Sequence, residues 1–286
     1  MRMWISLLVL CLGLLPALAA TQQTSPDTPA IITLDWTLAE TLTAIGHPPA
    51  GVAQIADYHS WVGKPILPAD TIDLGLRSQP SMELMAAMNP DLLLITPMFA
   101  NMANQLKAIA PVVTVPLYDP QADTWQTLVD MTRTLGHMTH REAAAQALIR
   151  DTTTMLDAGR ARLRGCGPLL VIQFADDRHV RVYGGNSLYQ HVLDRLGIRN
   201  AWTGAVNRWG YRLLALHELA KLDGRVVIIE PVPLGTLARL QNNALWRGLP
   251  VVKQQPPRVL PPVWSVGGLP SAQRFAQLLE QTVCKP

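Results

Sequence analysis

Thr139-His140-Arg141-Glu142, continuing through AAAQALIRDTTTMLDAGRARLR (143–164) to Gly165-Cys166-Gly167-Pro168, is the stretch whose reading decides the fold. Thr139 with Glu142 three residues on is a capping-box pattern. Ala145, Leu148, Met155, Leu156 and Leu163 recur at helical spacing, and the Gly/Pro cluster is a stop signal. The pattern predicts one helix over 139–164 with Thr139 as its cap, about 25 residues and so a rod of about 37 Å at 1.5 Å per residue. No other periodic segment is as long.

Short apolar strands alternate with helices on both sides of the rod. N-terminal to it, the strands are Ala30–Leu34, Gly51–Ile55, Asp91–Thr96 and Val112–Val115. Between them the pattern predicts helices over Thr37–Ile45, Ser81–Met88, Asn101–Ala110 and Thr124–Leu135. C-terminal to it, the strands are Leu169–Phe174, Val180–Tyr183 and Val226–Ile229. The helices there are Asn186–Leu196, Leu216–Leu222, Leu234–Trp246 and Ser271–Val283. Such alternation predicts parallel sheets with both faces covered. The expected fold is α/β, with two Rossmann-like lobes joined by one long α-helix. Its parts are a leader over 1–19, an N-terminal lobe over 20–138, the connecting helix over 139–164 and a C-terminal lobe over 165–286.

The leader reads as a cleaved secretory signal. Met1-Arg2-Met3 precedes an apolar run from Trp4 to Leu15, and Pro16-Ala17-Leu18-Ala19-Ala20 offers small residues at the expected cleavage positions. Cys11 lies inside that run, so only Cys166 and Cys284 persist in the exported chain. In an oxidising compartment they are disulfide candidates, with a buried free thiol as the alternative for each.

Composition excludes several functions. Hydrophobic residues make up 49% and charged residues 16% of the 286, against about 25% charged in an average domain. The chain is therefore not disordered, and a net charge of +3 without a basic block gives no footprint for nucleic acid. There is no phosphate-loop motif and no nucleophile elbow. His137 and His140 form an H-x-x-H pair without a third ligand and read as solvated helix-end residues. The Gly184-Gly185-Asn186-Ser187 turn fits either a ligand-oxygen contact or a plain helix cap.

Tryptophan is over-used: 8 Trp stand beside 5 Tyr and 3 Phe. Trp36 is expected at the end of the first strand, and Trp61, Trp202, Trp209 and Trp264 in loops. Amphipathic rings clustered at strand ends and loops favour a ligand cleft. Arg77, in a turn bounded by Gly75 and Pro80, is either a surface cation or a planar donor to anionic oxygens.

These residues resemble the periplasmic iron(III)-hydroxamate-binding proteins of siderophore ABC importers. The resemblance runs from about Ile31 to Phe275. It rests on Leu34-Asp35-Trp36, Tyr58-x-x-Trp61-Val62, Asp73-x-Gly75-Leu76-Arg77-x-x-Pro80, Arg178-His179-x-x-Val182-x-Gly184-x-Asn186-Ser187-Leu188, Asn200-Ala201-Trp202, Asn207-x-Trp209-Gly210 and Pro262-Val263-Trp264. It implies a class III periplasmic binding protein with a rigid helical backbone, no enzymatic activity, no cofactor and no direct protein ligand to metal. The implied ligand is an iron(III)-siderophore, the implied partner an inner-membrane ABC permease with its ATPase, and the implied state a monomer in the periplasm. Arg77 would donate to the iron-bound hydroxamate oxygens. Trp36, Trp61, Leu188, Trp202, Trp209 and Trp264 would wall the site, and Asn207 would add a polar contact.

Departures from the family pattern are Phe99 in place of a cleft Tyr, Val266 in place of an aromatic, and Tyr211, followed by Arg212, in place of a small polar residue. Glu218 stands near the family's permease-docking acid in the second lobe, whereas the first-lobe position holds Asn104. A carboxylate or mixed-type iron siderophore, heme or a cobalamin is the alternative ligand on the same fold. A secreted hydrolase or metal-dependent enzyme is the alternative of another class.

Overall fold

The computed structural model describes residues 29–119 and 121–284, and the expected leader over 1–19 lies outside them. Two five-stranded sheets organise the chain. The first contains β1 (Ile31–Thr33), β2 (Gly51–Val52), β3 (Ile72–Asp73), β6 (Leu92–Ile95) and β7 (Val112–Thr114), in the order β3-β2-β1-β6-β7. All four pairings in it are parallel. A small antiparallel hairpin, β4 (Gly75–Leu76) with β5 (Gln79–Pro80), projects from the end of β3. The helices of this half are α1 (Trp36–Ala44), α2 (Ile55–Trp61), α3 (Met82–Ala87), α4 (Ala103–Leu106) and α5 (Thr124–Met138).

The second sheet has the order β10-β9-β8-β11-β12. Its strands are β8 (Leu169–Phe174), β9 (His179–Tyr183), β10 (Tyr211–Ala215), β11 (Arg225–Ile229) and β12 (Arg258–Leu260). The sheet is mixed, not wholly parallel. A tight turn at Ala175–Arg178 folds β9 back antiparallel to β8, and β10 pairs antiparallel with β9. α7 (Leu188–Leu196), α8 (Thr236–Asn242), α9 (Ala244–Gly248), α10 (Pro250–Gln254) and α11 (Leu269–Leu278) complete this half.

The rod is α6, Glu142–Arg162, about 31 Å long at 1.5 Å per residue. It is shorter than 139–164 because the capping box does not form. Thr139 ends α5 instead, its hydroxyl donating to the Leu135 carbonyl at 2.7 Å, and Arg141 precedes α6 with no side-chain cap. Gly136 permits this corner: a Cβ there would lie 2.5 Å from that of Ala145. His137 sits at the corner, 84% exposed, with Glu142 at 3.4 Å. The other end of α6 is tied down by a disulfide between Cys166 and Cys284.

Each sheet buries one face in a lobe of its own. Ile32, Leu34, Leu93 and Ile95 pack with Met85, Phe99 and Leu106 in the first lobe. Leu170, Ile172, Val180, Val182, Val226 and Ile228 pack with Trp246 and Val251 in the second. The opposite faces share one larger core with α1, α5, α6, α7 and α11. A continuous apolar core under both lobes opposes free hinging between them. Among the described residues no helix is long and apolar enough to cross a membrane.

Candidate functional site

In open α/β sheets ligands sit beyond the carboxyl ends of the strands, where the strand order reverses. In the first sheet that point lies between β1 and β6, and the segments leaving them carry Asp35-Trp36 and Thr96–Phe99. Asp35 caps α1, accepting from the amides of Thr37 at 2.8 Å and Leu38 at 3.3 Å. Trp36 is therefore the first residue of α1 and not the end of a strand. Its Nε1 donates to the Ala53 carbonyl at 2.9 Å, which fixes the indole plane.

Arg77 lies at the tip of the β4–β5 hairpin. Asp73 shapes its approach, accepting from the amides of Gln54, Ile55 and Gly75 and so joining the start of α2 to the turn. Gly75 at φ 84° occupies the left-handed region that favours glycine. The Gln54 side-chain oxygen accepts from the Arg77 amide at 3.0 Å. The guanidinium lies over the Trp36 ring, 4.4 Å from its centroid, and 5.2 Å from that of Phe99. Nε donates to the Leu34 carbonyl at 3.0 Å. Among the described residues no carboxylate pairs with it. Aromatic faces, one carbonyl and the Met98 sulfur, which accepts from Nη2 at 3.7 Å, hold the fork in place where it lines the cleft.

The segment after β12 crosses from the second lobe to α1. Trp264 packs edge-on against Trp36, centroids 5.1 Å apart, and against Trp61 at 6.3 Å. Its Nε1 donates to the Thr37 hydroxyl, which itself donates to the Val266 carbonyl at 2.8 Å. Further on, the buried Glu40 carboxyl accepts from the Gly268 amide, at the start of α11, and from the Ser271 hydroxyl at 2.6 Å. Burial, with Asp35 nearby, pushes the Glu40 pKa up to about 8 against these hydrogen bonds.

The second wall is the face of β8, β9 and β10 that carries Gln173, Arg181, Tyr183 and Tyr211. Register sets Gln173 opposite Arg181 and Tyr211 opposite Tyr183. The Arg181 guanidinium lies 5.6 Å from the Tyr211 ring centroid. The Tyr183 hydroxyl donates to the Gln173 side-chain oxygen at 3.0 Å, and burial pushes its pKa up to about 12. Trp209 is presented by a turn built on Asn207, whose Oδ1 accepts from the Trp209 amide at 2.9 Å. Gly210, at φ 75°, packs so closely on Ser187 that a Cβ would fall 2.5 Å from its backbone.

These walls enclose a cleft of about 410 Å³. Of the residues singled out from the sequence, Trp36, Trp61, Arg77, Trp209, Tyr211 and Trp264 line it, as does Val266. Four lie elsewhere. Phe99 is buried beneath Arg77. Leu188 lines a separate cavity of about 40 Å³ on the far side of Trp209. Trp202 packs on Gly184 and Gly204 below the second sheet, because only glycines leave room for its ring there. Asn207 spends its side-chain oxygen on its own turn and faces an outer hollow. The Gly184–Ser187 turn is a helix start, since the Ser187 hydroxyl accepts from the Gln190 amide and caps α7.

Glu218 is exposed, and its carboxylate accepts from the Ala215 amide at 2.8 Å. Gln54, Asp57, Met98, Gln173, Arg181, Tyr183 and Ser265 are lining residues that sequence reasoning missed. The signal for Arg181 was available: in His179-Val180-Arg181-Val182-Tyr183 it alternates with core valines on a strand.

Residues 31–262 match the model of the periplasmic binding protein family. The chain belongs to that family. It is 32% identical over 263 residues to the Escherichia coli iron(3+)-hydroxamate-binding protein FhuD, covering 90% of this chain and 88% of the relative. A crystal structure of the siderophore-binding protein FhuD from Vibrio cholerae, with Fe3+-Desferal bound, superposes with a TM-score of 0.85 at 28% identity. That match covers 90% of this chain and 98% of the other. The triscatecholate siderophore-binding protein FeuA from Bacillus subtilis shares the fold, with a TM-score of 0.73 at 16% identity over 91% and 93% of the two chains.

Proposed function

We propose that this chain is the periplasmic binding component of an ABC importer and carries a ferric hydroxamate siderophore to the inner-membrane permease. One observation carries the reading: the Arg77 fork, held between Trp36 and Phe99 without a carboxylate partner, opens into an aromatic cleft between two lobes. A hydroxamate siderophore encloses iron(III) in its own oxygens, so the protein supplies no metal ligand. Those oxygens carry partial negative charge and suit planar N–H donors, while the organic scaffold suits indole faces. The Escherichia coli relative is named for this ligand class, and the Vibrio cholerae siderophore-binding protein holds Fe3+-Desferal. The protein binds and releases its cargo without chemistry, after export and removal of residues 1–19. The exposed Glu218 is the second-lobe contact offered to the permease.

The test is retention. Purified protein mixed with ferrichrome and passed through a desalting column should keep one equivalent of iron and its visible charge-transfer band. Loss of the iron, or equal retention of hemin, would reject the reading.

A further inference from the structure

We propose that Arg181 recognises an anionic substituent on the ligand, so that the cleft prefers ferric hydroxamates bearing a free carboxylate. This rests on the reading that the cleft holds a ferric hydroxamate.

Two cations face the cleft, Arg77 from the first lobe and Arg181 from the second. Among the described residues its one lining acid is Asp57, which is exposed and already accepts from the Gln54 side-chain Nε2 at 2.6 Å. The acids nearest Arg181 in sequence are also committed elsewhere. Asp176 accepts from the backbone of Arg178 and His179 and faces the His179 ring at 2.9 Å. Asp177 pairs with Arg178 and Arg239. Nor does Gln173, directly opposite, neutralise the guanidinium. Its oxygen accepts from Tyr183, and its nitrogen donates to the Glu230 carbonyl at 3.3 Å.

Arg181 is thus a half-buried cation on a sheet face, resting near the Tyr211 ring, with no anion paired to it among the described residues. A ligand that fills the cleft takes water from Arg77 and from the cleft side of Arg181, which also borders the outer hollow beside Arg212. A neutral iron chelate offers polarised oxygens to Arg77 but leaves the second charge desolvated and uncompensated, at a cost. A carboxylate reaching the second wall removes that cost through a forked, charge-assisted pair. A cationic arm adds repulsion instead. Arg181 is therefore a specificity residue that reads what hangs from the iron core, while Arg77 reads the core.

The test uses one iron core with three ends: ferric Desferal with its terminal amine free, acetylated, or succinylated to carry a carboxylate. Titrated against the full chain by tryptophan quenching, the succinyl form should bind about tenfold tighter than the acetyl form, the scale of one charge-assisted pair. The free amine should bind weakest. In Arg181→Gln the succinyl-to-acetyl ratio should fall to about twofold or less, and in Arg181→Lys to an intermediate value, because the charge remains and the fork is lost. Raised salt should narrow the wild-type ratio. Equal binding of the succinyl and acetyl forms, or an unchanged preference in Arg181→Gln, would overturn the proposal while leaving hydroxamate binding intact. Binding of none of the three would overturn both.

Discussion

The indole N–H of Trp264 donates to the Thr37 hydroxyl at 3.2 Å across 227 residues of sequence. Trp264 leaves the last strand of the second lobe and Thr37 lies in the first helix, so this bond crosses the cleft floor. The Thr37–Val266 and Glu40–Gly268 bonds run beside it. Together with the rod α6 they make a floor that does not hinge open without breaking buried hydrogen bonds.

Ligand should therefore stabilise the protein with little closure. At about 100 times its dissociation constant a ligand adds about 2.7 kcal/mol to the native state. For a chain of this size that raises the melting midpoint by about 5–10 °C. Scattering profiles with and without ferric siderophore should superpose, and a large contraction would contradict the rigid floor.

Glu40 should give stability a specific pH dependence. Its pKa is 4.5 ordinarily and about 8 in the fold, so the folded state holds the proton more tightly. Its contribution is fully present below about pH 4.5 and is lost as pH rises through about 8, on the order of a few kcal/mol in all. Glutamine keeps an oxygen for the Gly268 amide and cannot ionise. The stability of wild type minus Glu40→Gln should fall steadily between those limits, as measured by urea unfolding. A flat difference would show that Glu40 does not titrate in this range.

Breaking the Cys166–Cys284 bond should cost much of the molecule's reserve. The bond closes a separation of 118 residues, for which loop entropy gives about 4–5 kcal/mol. Ser substitution at both positions should lower the denaturant midpoint accordingly without changing ligand affinity. An unchanged midpoint would assign the bond no stabilising role.

The α/β alternation and the long rod were legible because period and stop signals are local. The direction of β9 was not: both strands were read, but alternation alone does not distinguish a hairpin from a crossover. Thr139 misled because one Thr serves equally to end a helix or to begin one, and only the Gly136–Ala145 contact decides between them. At the site, the turn that carries Arg77 was legible from Gly75 and Pro80, but the turn alone left a surface cation and an oxygen donor both open, and only the family resemblance placed Arg77 in the cleft. Trp202 and Trp209 read alike as loop tryptophans, yet Gly184 and Gly204 draw one into packing while the Asn207 turn offers the other to the cleft. Arg181 went unnoticed because its meaning depends on which acids across the sheet remain free.

The most direct measurement is the affinity of wild type and Arg77→Gln for ferrichrome by tryptophan quenching, beside thermal melts of both. The variant also loses contacts to Trp36 and the Leu34 carbonyl, so its midpoint should drop slightly while a cooperative melt persists. Its affinity should fall by about 1.5–3 kcal/mol, the scale of hydrogen bonds to a charged group, with iron-free siderophore binding weakly to both. Unchanged affinity in a folded Arg77→Gln protein, or equal binding of the iron-free form to wild type, would contradict the assignment of this cleft to a ferric hydroxamate.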